Sequence, residues 1–242
     1  MTVGSPETKG PNSHPQFESS EEYWASYWPG AGEDTGGVPP VDRMNWTQYP
    51  GHGPDFEFLG QPKTALEIGS ATCVAGVALA RATAAQVTCV DSSAVQAARA
   101  RRWWAGEPGV TVVEADVVNF LASTDLHWDC VFSNWGAALF LDPEILLPLV
   151  YPRLSPGGLF AFSAVEPLAP CFGPQIVYGN GYRGRRLAIV RWMLSVQQWT
   201  EALVRHGFDD VDVQVLPARE HGHVGTLMGR ARSGHRPTLE KP

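Results

Sequence analysis

The sequence is poor in lysine, poor in cysteine, and has no long apolar run. Only three lysines (Lys9, Lys63, Lys241) accompany fifteen arginines in 242 residues, and the formal net charge is −7. A chain with that balance has no basic field for a nucleic-acid backbone, so no nucleic-acid partner is expected. The four cysteines (Cys73, Cys89, Cys130, Cys171) form no Cys-x-x-Cys pair and have no histidine at metal spacing. They are read as small buried thiols in a reducing compartment, with neither a disulfide framework nor a metal site. No stretch is long and apolar enough for a membrane span, and no basic-plus-apolar leader opens the chain. The expected setting is therefore cytoplasmic.

What is present is an ordinary globular composition, with 44% hydrophobic and 18% charged residues. Residues 1–18 are rich in Pro, Gly and Ser without apolar periodicity, and read as a disordered tail, as do 235–242. Residues 19–63 form an extension with two aromatic clusters. The first, Glu21 to Trp28, reads as a short helix ended by Pro29-Gly30. The second contains Trp46, Tyr49, Phe56 and Phe58.

From residue 64 to 234 short apolar strands alternate with helical segments, the pattern of a parallel sheet covered on both faces. Strands are expected at Thr64–Gly69, Gln86–Asp91, Val110–Asp116, Asp129–Asn134 and Leu159–Ala164. Helices are expected at Val74–Ala82, Ser93–Trp104, Val117–Ser123 and Pro143–Leu154. A loop-rich insertion, residues 166–191, interrupts the alternation. A helix at Val196–His206 and two strands, Val211–Leu216 and Val224–Ala231, complete the domain. So short a link between the last two strands forces an antiparallel pair.

Open parallel sheets bind ligands beyond the carboxyl ends of their strands, where strand order reverses. Three such ends here are acidic. Glu67 stands two residues before Gly69 in Glu67-Ile68-Gly69-Ser70-Ala71-Thr72-Cys73, Asp91 ends the second strand, and Asp116 the third. Glu67 would repel a pyrophosphate and favour a cationic or amine-bearing ligand. Asp91 is placed for ribose hydroxyls and Asp116 for an adenine amino group. An adenosine with a positively charged or amine-bearing tail satisfies all three.

At these residues the chain resembles the class I, Rossmann-like S-adenosylmethionine-dependent methyltransferases of the small-molecule type. The resemblance spans roughly Thr64 to Ala231 and includes Val113-Glu114-Ala115-Asp116-Val117, Trp128 to Trp135, and Leu154-Ser155-Pro156-Gly157-Gly158-Leu159. It implies a three-layer α/β fold with a mostly parallel seven-stranded sheet, strand order 3-2-1-4-5-7-6, closed by a C-terminal antiparallel hairpin. It implies S-adenosyl-L-methionine as cofactor, held by Glu67, Gly69, Ser70, Ala71, Asp91, Ser92, Asp116, Val117 and Ser133. The family's loop carries three glycines, whereas Ala71 and Cys73 replace two of them here.

The aromatic extension and the insertion suit a lid over an apolar small molecule. Tyr23, Tyr27, Trp46, Tyr49, Trp135, Glu166, Tyr178 and Tyr182 are the candidate acceptor contacts. His52, His221 and His223 are candidates for taking a proton from the acceptor; a solvated loop histidine is the plainer alternative for each. The expected role is a tailoring methylation in secondary metabolism, on carbon, nitrogen or oxygen, with self-association left open. Two rival functions stand beside it: a nicotinamide-dependent dehydrogenase, and a non-catalytic binding protein on a degenerate nucleotide-binding fold.

Overall fold

The computed structural model describes residues 20–26, 37–180 and 186–234. Both expected tails and the residues Tyr27 and Tyr182 lie outside them. Helix α1 (Ser20–Ser26) precedes a compact loop and a short 3-10 turn, Phe56–Leu59. Then come β1 (Thr64–Ile68), α2 (Val74–Thr83), β2 (Gln86–Asp91), α3 (Ala94–Trp103), β3 (Val110–Glu114) and α4 (Val117–Ser123). The chain continues with β4 (Trp128–Asn134), a single turn α5 (Ala137–Phe140), α6 (Pro143–Val150) and β5 (Leu154–Val165). It ends with β6 (Gly173–Asn180), β7 (Arg186–Met193), α7 (Val196–Arg205), β8 (Phe208–Leu216) and β9 (Thr226–Ser233).

Seven strands form one sheet in the order β3-β2-β1-β4-β5-β9-β8, which is the expected order once the two added strands are numbered. Strands β3, β2, β1, β4 and β5 pair in parallel, and β9 runs antiparallel to both β5 and β8. Order reverses between β1 and β4, so the crevice for a ligand opens there. The central parallel strands β1, β4 and β5 are largely buried on both faces, which is why they read as continuous apolar runs.

Two cores cover the sheet. One face packs α4, α6 and α7 through Leu121, Leu146, Leu147, Trp199 and Leu203. The other packs α2, α3 and the loop before β1 through Val77, Ala100, Met44 and Trp46. Helix α7 starts in a capping box: Ser195 accepts from Gln198 N, and the Gln198 side chain accepts from Ser195 N. That pairing satisfies two of the donors a helix start leaves open.

Three differences from expectation are large. The insertion 166–191 is not loop-rich, because Gly173–Asn180 and Arg186–Met193 pair antiparallel in a separate two-stranded sheet. Strand β5 starts at Leu154, not Leu159, with a register shift against β4 between Trp128 and Cys130. Helix α6 stops at Val150, and Tyr151–Arg153 tightens into a 3-10 turn around Pro152.

Candidate active site

The loop between β1 and α2 is held from four sides. Gly69 N and Ser70 N both donate to Val90 O, at 2.9 and 3.1 Å. The Trp104 indole donates to Thr72 O at 2.6 Å. Asp91 completes the frame: its Oδ2 accepts from Ala71 N at 2.7 Å and its Oδ1 from Ser93 N at 2.9 Å. Each oxygen spends one lone pair on the backbone, and a carboxylate offers about four acceptor sites in all. Asp91 therefore ties two loops together and keeps acceptor capacity to spare. Burial pushes its carboxyl above the ordinary value, and its two backbone donors pull it back.

The two positions that lack the family's glycines keep a glycine-like backbone. Ala71 has φ 45° and Cys73 has φ 61°, both left-handed. Cys73 is fully buried at the start of α2, where its thiol lies 3.6 Å from Ser70 Oγ. Gly69 (φ 71°) has a different constraint. A Cβ there would sit 2.4 Å from Ala137 N, so the glycine admits the β4–α5 turn.

Glu67 lies behind this loop and not in front of it. Its Oε2 accepts from Gly76 N at 3.0 Å and from the Cys89 thiol at 3.5 Å, in a fully buried position against the first turn of α2. Burial raises its pKa to about 8, Cys89 and Gly76 oppose the rise, and Asp91 adds to it. The side chain thus stabilises the helix start that frames the loop. Direct contact with a cationic tail, the sequence expectation, does not follow from this placement.

The remaining cofactor candidates separate into rim and core. Ser92 and Asp116 are exposed at the ends of β2 and β3. Asp116 Oδ1 caps α4 by accepting from Asn119 N at 2.9 Å, which leaves its second oxygen at the rim. Val117 is buried beneath it. Ser133 is fully buried, and its Oγ accepts from Ala138 N at 3.0 Å, so it shapes the β4–α5 turn from inside.

The loop 43–55 lies against the end of β4 and the β8–β9 loop. Its ends meet where Met44 N donates to Asp55 Oδ1 at 2.7 Å, and Arg43 donates to the carbonyls of Gly53 and Pro54. Such a closed, internally bonded loop is an Ω-loop. It is fastened to the carboxyl ends of the sheet: Asn134 Nδ2 donates to Asn45 O, the Trp135 indole to Trp46 O, and the Tyr49 hydroxyl to Val224 O at 2.6 Å. Trp46 itself is fully buried, edge-on to Phe58 and Phe132, and its indole donates to Asp55 O. Its ring, expected to touch the acceptor, belongs to the core.

Tyr49 sits between two of the three candidate histidines, with ring centroids 5.9 Å from His52 and 6.4 Å from His223. His52 has a buried Nδ1 with no hydrogen-bond partner among the described residues. His223 is half exposed beside Glu220, at 3.7 Å, and His221 is exposed on the same β8–β9 loop. Glu166 is committed to that loop, accepting from Gly225 N at 2.6 Å. Tyr178 is two-thirds exposed on the β6–β7 hairpin.

Over the crevice lies α1. Gln96 in the first turn of α3 donates to Trp24 O at 2.9 Å, and the Trp24 ring meets Phe140 of α5 edge-on at 4.6 Å. Tyr23 stacks edge-on against Trp24. Leu139, Ala164 and Met193 form a small third core that seats the hairpin on α5 and β5. Gln96 and Asn45 were not singled out from sequence. Nothing in their spacing marks them, because their roles depend on elements distant in the chain.

Comparison with known proteins agrees with this architecture. A family model described as "Methyltransferase domain" matches residues 65–158, from β1 into β5. No curated protein matches the sequence. Among solved structures, DhpI in complex with SAH is 25% identical over 72% of this chain and 78% of its own, with a TM-score of 0.54. The Burkholderia thailandensis 1,6-didemethyltoxoflavin-N1-methyltransferase is 22% identical over 73% of each chain (TM-score 0.51). The glycopeptide N-methyltransferase MtfA complexed with sinefungin is 19% identical over 73% of this chain and 82% of its own (TM-score 0.56). By that domain match and this strand order together, residues 65–158 carry a methyltransferase domain, and the chain is similar in fold to S-adenosylmethionine-dependent methyltransferases.

Proposed function

We propose that this chain transfers a methyl group to a small aromatic or heterocyclic acceptor, as a tailoring step in secondary metabolism. The observation that carries the reading is Asp91, a half-buried carboxylate bridging the β1–α2 and β2–α3 loops beside the β1/β4 reversal. A ribose diol fits such an acceptor, and the exposed Ser92 and Asp116 extend the rim toward an adenine. A dinucleotide fits less well, since the loop after β1, Gly69 to Cys73, is not a Gly-x-Gly-x-x-Gly loop that would admit a pyrophosphate.

The acceptor lies, in this proposal, between the β4–α5 turn and the Ω-loop, under α1 and the hairpin. These walls are apolar and aromatic around a few polar groups, which is the usual make-up of a small-molecule pocket. The names of two neighbours, a 1,6-didemethyltoxoflavin N1-methyltransferase and a glycopeptide N-methyltransferase, support an acceptor of natural-product type. S-adenosylmethionine supplies a methyl already activated by its sulfonium. The protein's share is then to orient the acceptor and exclude water. For a hydroxyl acceptor, His52 or His223 beside Tyr49 would take the proton.

The test is calorimetric titration of the full chain with S-adenosylhomocysteine and, separately, NADH, using Asp91→Ala as control. Micromolar binding of the first ligand alone is expected, weakened about 100-fold in Asp91→Ala if two charge-assisted hydrogen bonds are lost. NADH binding would move the assignment to a dehydrogenase. Binding of neither would leave a non-catalytic binding protein.

A further inference from the structure

Trp135 is the one bulky residue among the described positive-φ positions, at φ 55° in the turn after β4. A tryptophan in the left-handed region is strained and persists only where its surroundings hold it. Two hydrogen bonds do so: Trp135 N donates to Ser163 O at 3.2 Å, and its indole Nε1 donates to Trp46 O at 2.8 Å. The next residue, Gly136, is pressed against the cofactor loop. A Cβ on it would lie 2.5 Å from Gly69 O and 2.6 Å from Ile68 O.

These contacts make a continuous path. It runs from Gly69 to Gly136, along one peptide to Trp135, through the indole to Trp46, and so into the Ω-loop that carries Tyr49 and His52. The loop has other fastenings, Tyr49 to Val224 O and Arg219 to Gly51 O, but both lead to the β8–β9 side. Asn134 reaches Asn45 O from the end of β4, yet its other amide atom is bonded to Ser163 and not to the turn.

We propose that Trp135 is a positioning residue that couples the two halves of the site: a cofactor ordered against the Gly69 loop also orders, through the Trp135 indole, the Ω-loop that walls the acceptor. This rests on the cofactor assignment made above. Trp135, a candidate acceptor contact from the sequence, acts in this proposal as a latch made with its indole N–H. Local opening of a surface loop is set by a small free energy, so one hydrogen bond at its base is enough to bias it. An acceptor would then meet a preformed wall only after the cofactor is seated.

Hydrogen exchange read by mass spectrometry tests this without an acceptor or any turnover. In the full-length protein, saturating S-adenosylhomocysteine is expected to slow exchange about tenfold in 69–73 and also in 43–55, where Met44 N and His52 N are bonded within the loop. In Trp135→Phe, which keeps a ring and removes the donor, 69–73 should still be protected while 43–55 no longer responds. Tyr49→Phe cuts one of the other fastenings; its 43–55 segment should exchange faster in the free protein yet still respond to the ligand. An unchanged response in Trp135→Phe, a lost response in Tyr49→Phe, or wild-type protection confined to 69–73 would each overturn the proposal. Absence of S-adenosylhomocysteine binding by calorimetry would instead overturn the cofactor assignment beneath it.

Discussion

Gly69 and Gly136 face each other with no room for a methyl group on either. A Cβ on Gly69 would meet Gly136 Cα at 3.0 Å and Ala137 N at 2.4 Å, and a Cβ on Gly136 would meet Gly69 O at 2.5 Å. The obstructing atoms are backbone and cannot turn aside. Gly69, a candidate cofactor contact from the sequence, thus makes room for a neighbouring turn.

Gly136→Ala should accordingly drive the β4–α5 turn away from the cofactor loop. Overpacking of this kind costs about 1–3 kcal/mol. Urea denaturation should show the lower midpoint, and calorimetry a weakened affinity for S-adenosylhomocysteine. Gly69→Ala should be worse, because its φ of 71° adds the left-handed penalty of about 1–2 kcal/mol.

Ala71→Gly should act in the opposite direction. The left-handed backbone at φ 45° is relieved, while the unfolded chain gains about 0.4–1 kcal/mol of conformational entropy. The net expectation is a stabilisation of up to about 1 kcal/mol in thermal unfolding. Ligand affinity should hold, since what Ala71 supplies to Asp91 is its N–H. A clear loss of stability would show that the alanine methyl makes a contact worth more than its strain.

Glu67 makes stability depend on pH. Below pH 4.5 the folded and unfolded states both hold its proton. Between 4.5 and about 8 the unfolded chain releases it while the buried carboxyl keeps it. Stability contributed by this group is thus full at low pH and falls as pH rises through that window, by about 1.4 kcal/mol per unit at most. Asp91, also raised by burial, adds in the same direction. Glu67→Gln retains an oxygen for Gly76 N and does not titrate, so its urea midpoint should be flatter from pH 5 to 8 and higher than wild type at pH 8. A parallel pair of profiles would refute this account.

His52→Ala separates binding from chemistry. The histidine touches the Ω-loop and Tyr49, not the Asp91 frame. S-adenosylhomocysteine affinity should therefore be unchanged. With a hydroxyl acceptor, kcat should fall by about 10²–10⁴ if His52 takes the proton; with a neutral amine it should change little. Comparing His223→Ala on the same acceptors identifies which of the two histidines does so.

The strand–helix alternation, the antiparallel close and the acidic strand ends were legible in the sequence because each is a local signal. A strand buried on both faces must be apolar throughout, and Asp91 follows its strand directly. The hairpin β6–β7 was not legible. Its first strand, Gly173–Asn180, contains Gly and Pro, exposes Ile176 and Tyr178, and takes its order from pairing with Arg186–Met193. Charge and aromaticity were equally visible, but their direction was not. Glu67 turns inward because Gly76, on the next helix, has no side chain to exclude it; a Cβ there would lie 2.8 Å from Glu67 Oε2. Trp46 is core because Phe58 and Phe132 close around it, while Trp135 holds a strained backbone to reach its carbonyl. The sequence by itself thus determined which layers form and which chemical groups stand at the strand ends, since burial periodicity is written residue by residue. Only the tertiary structure decided which of those groups face the crevice, because a side chain's direction depends on the atoms that distant segments bring against it.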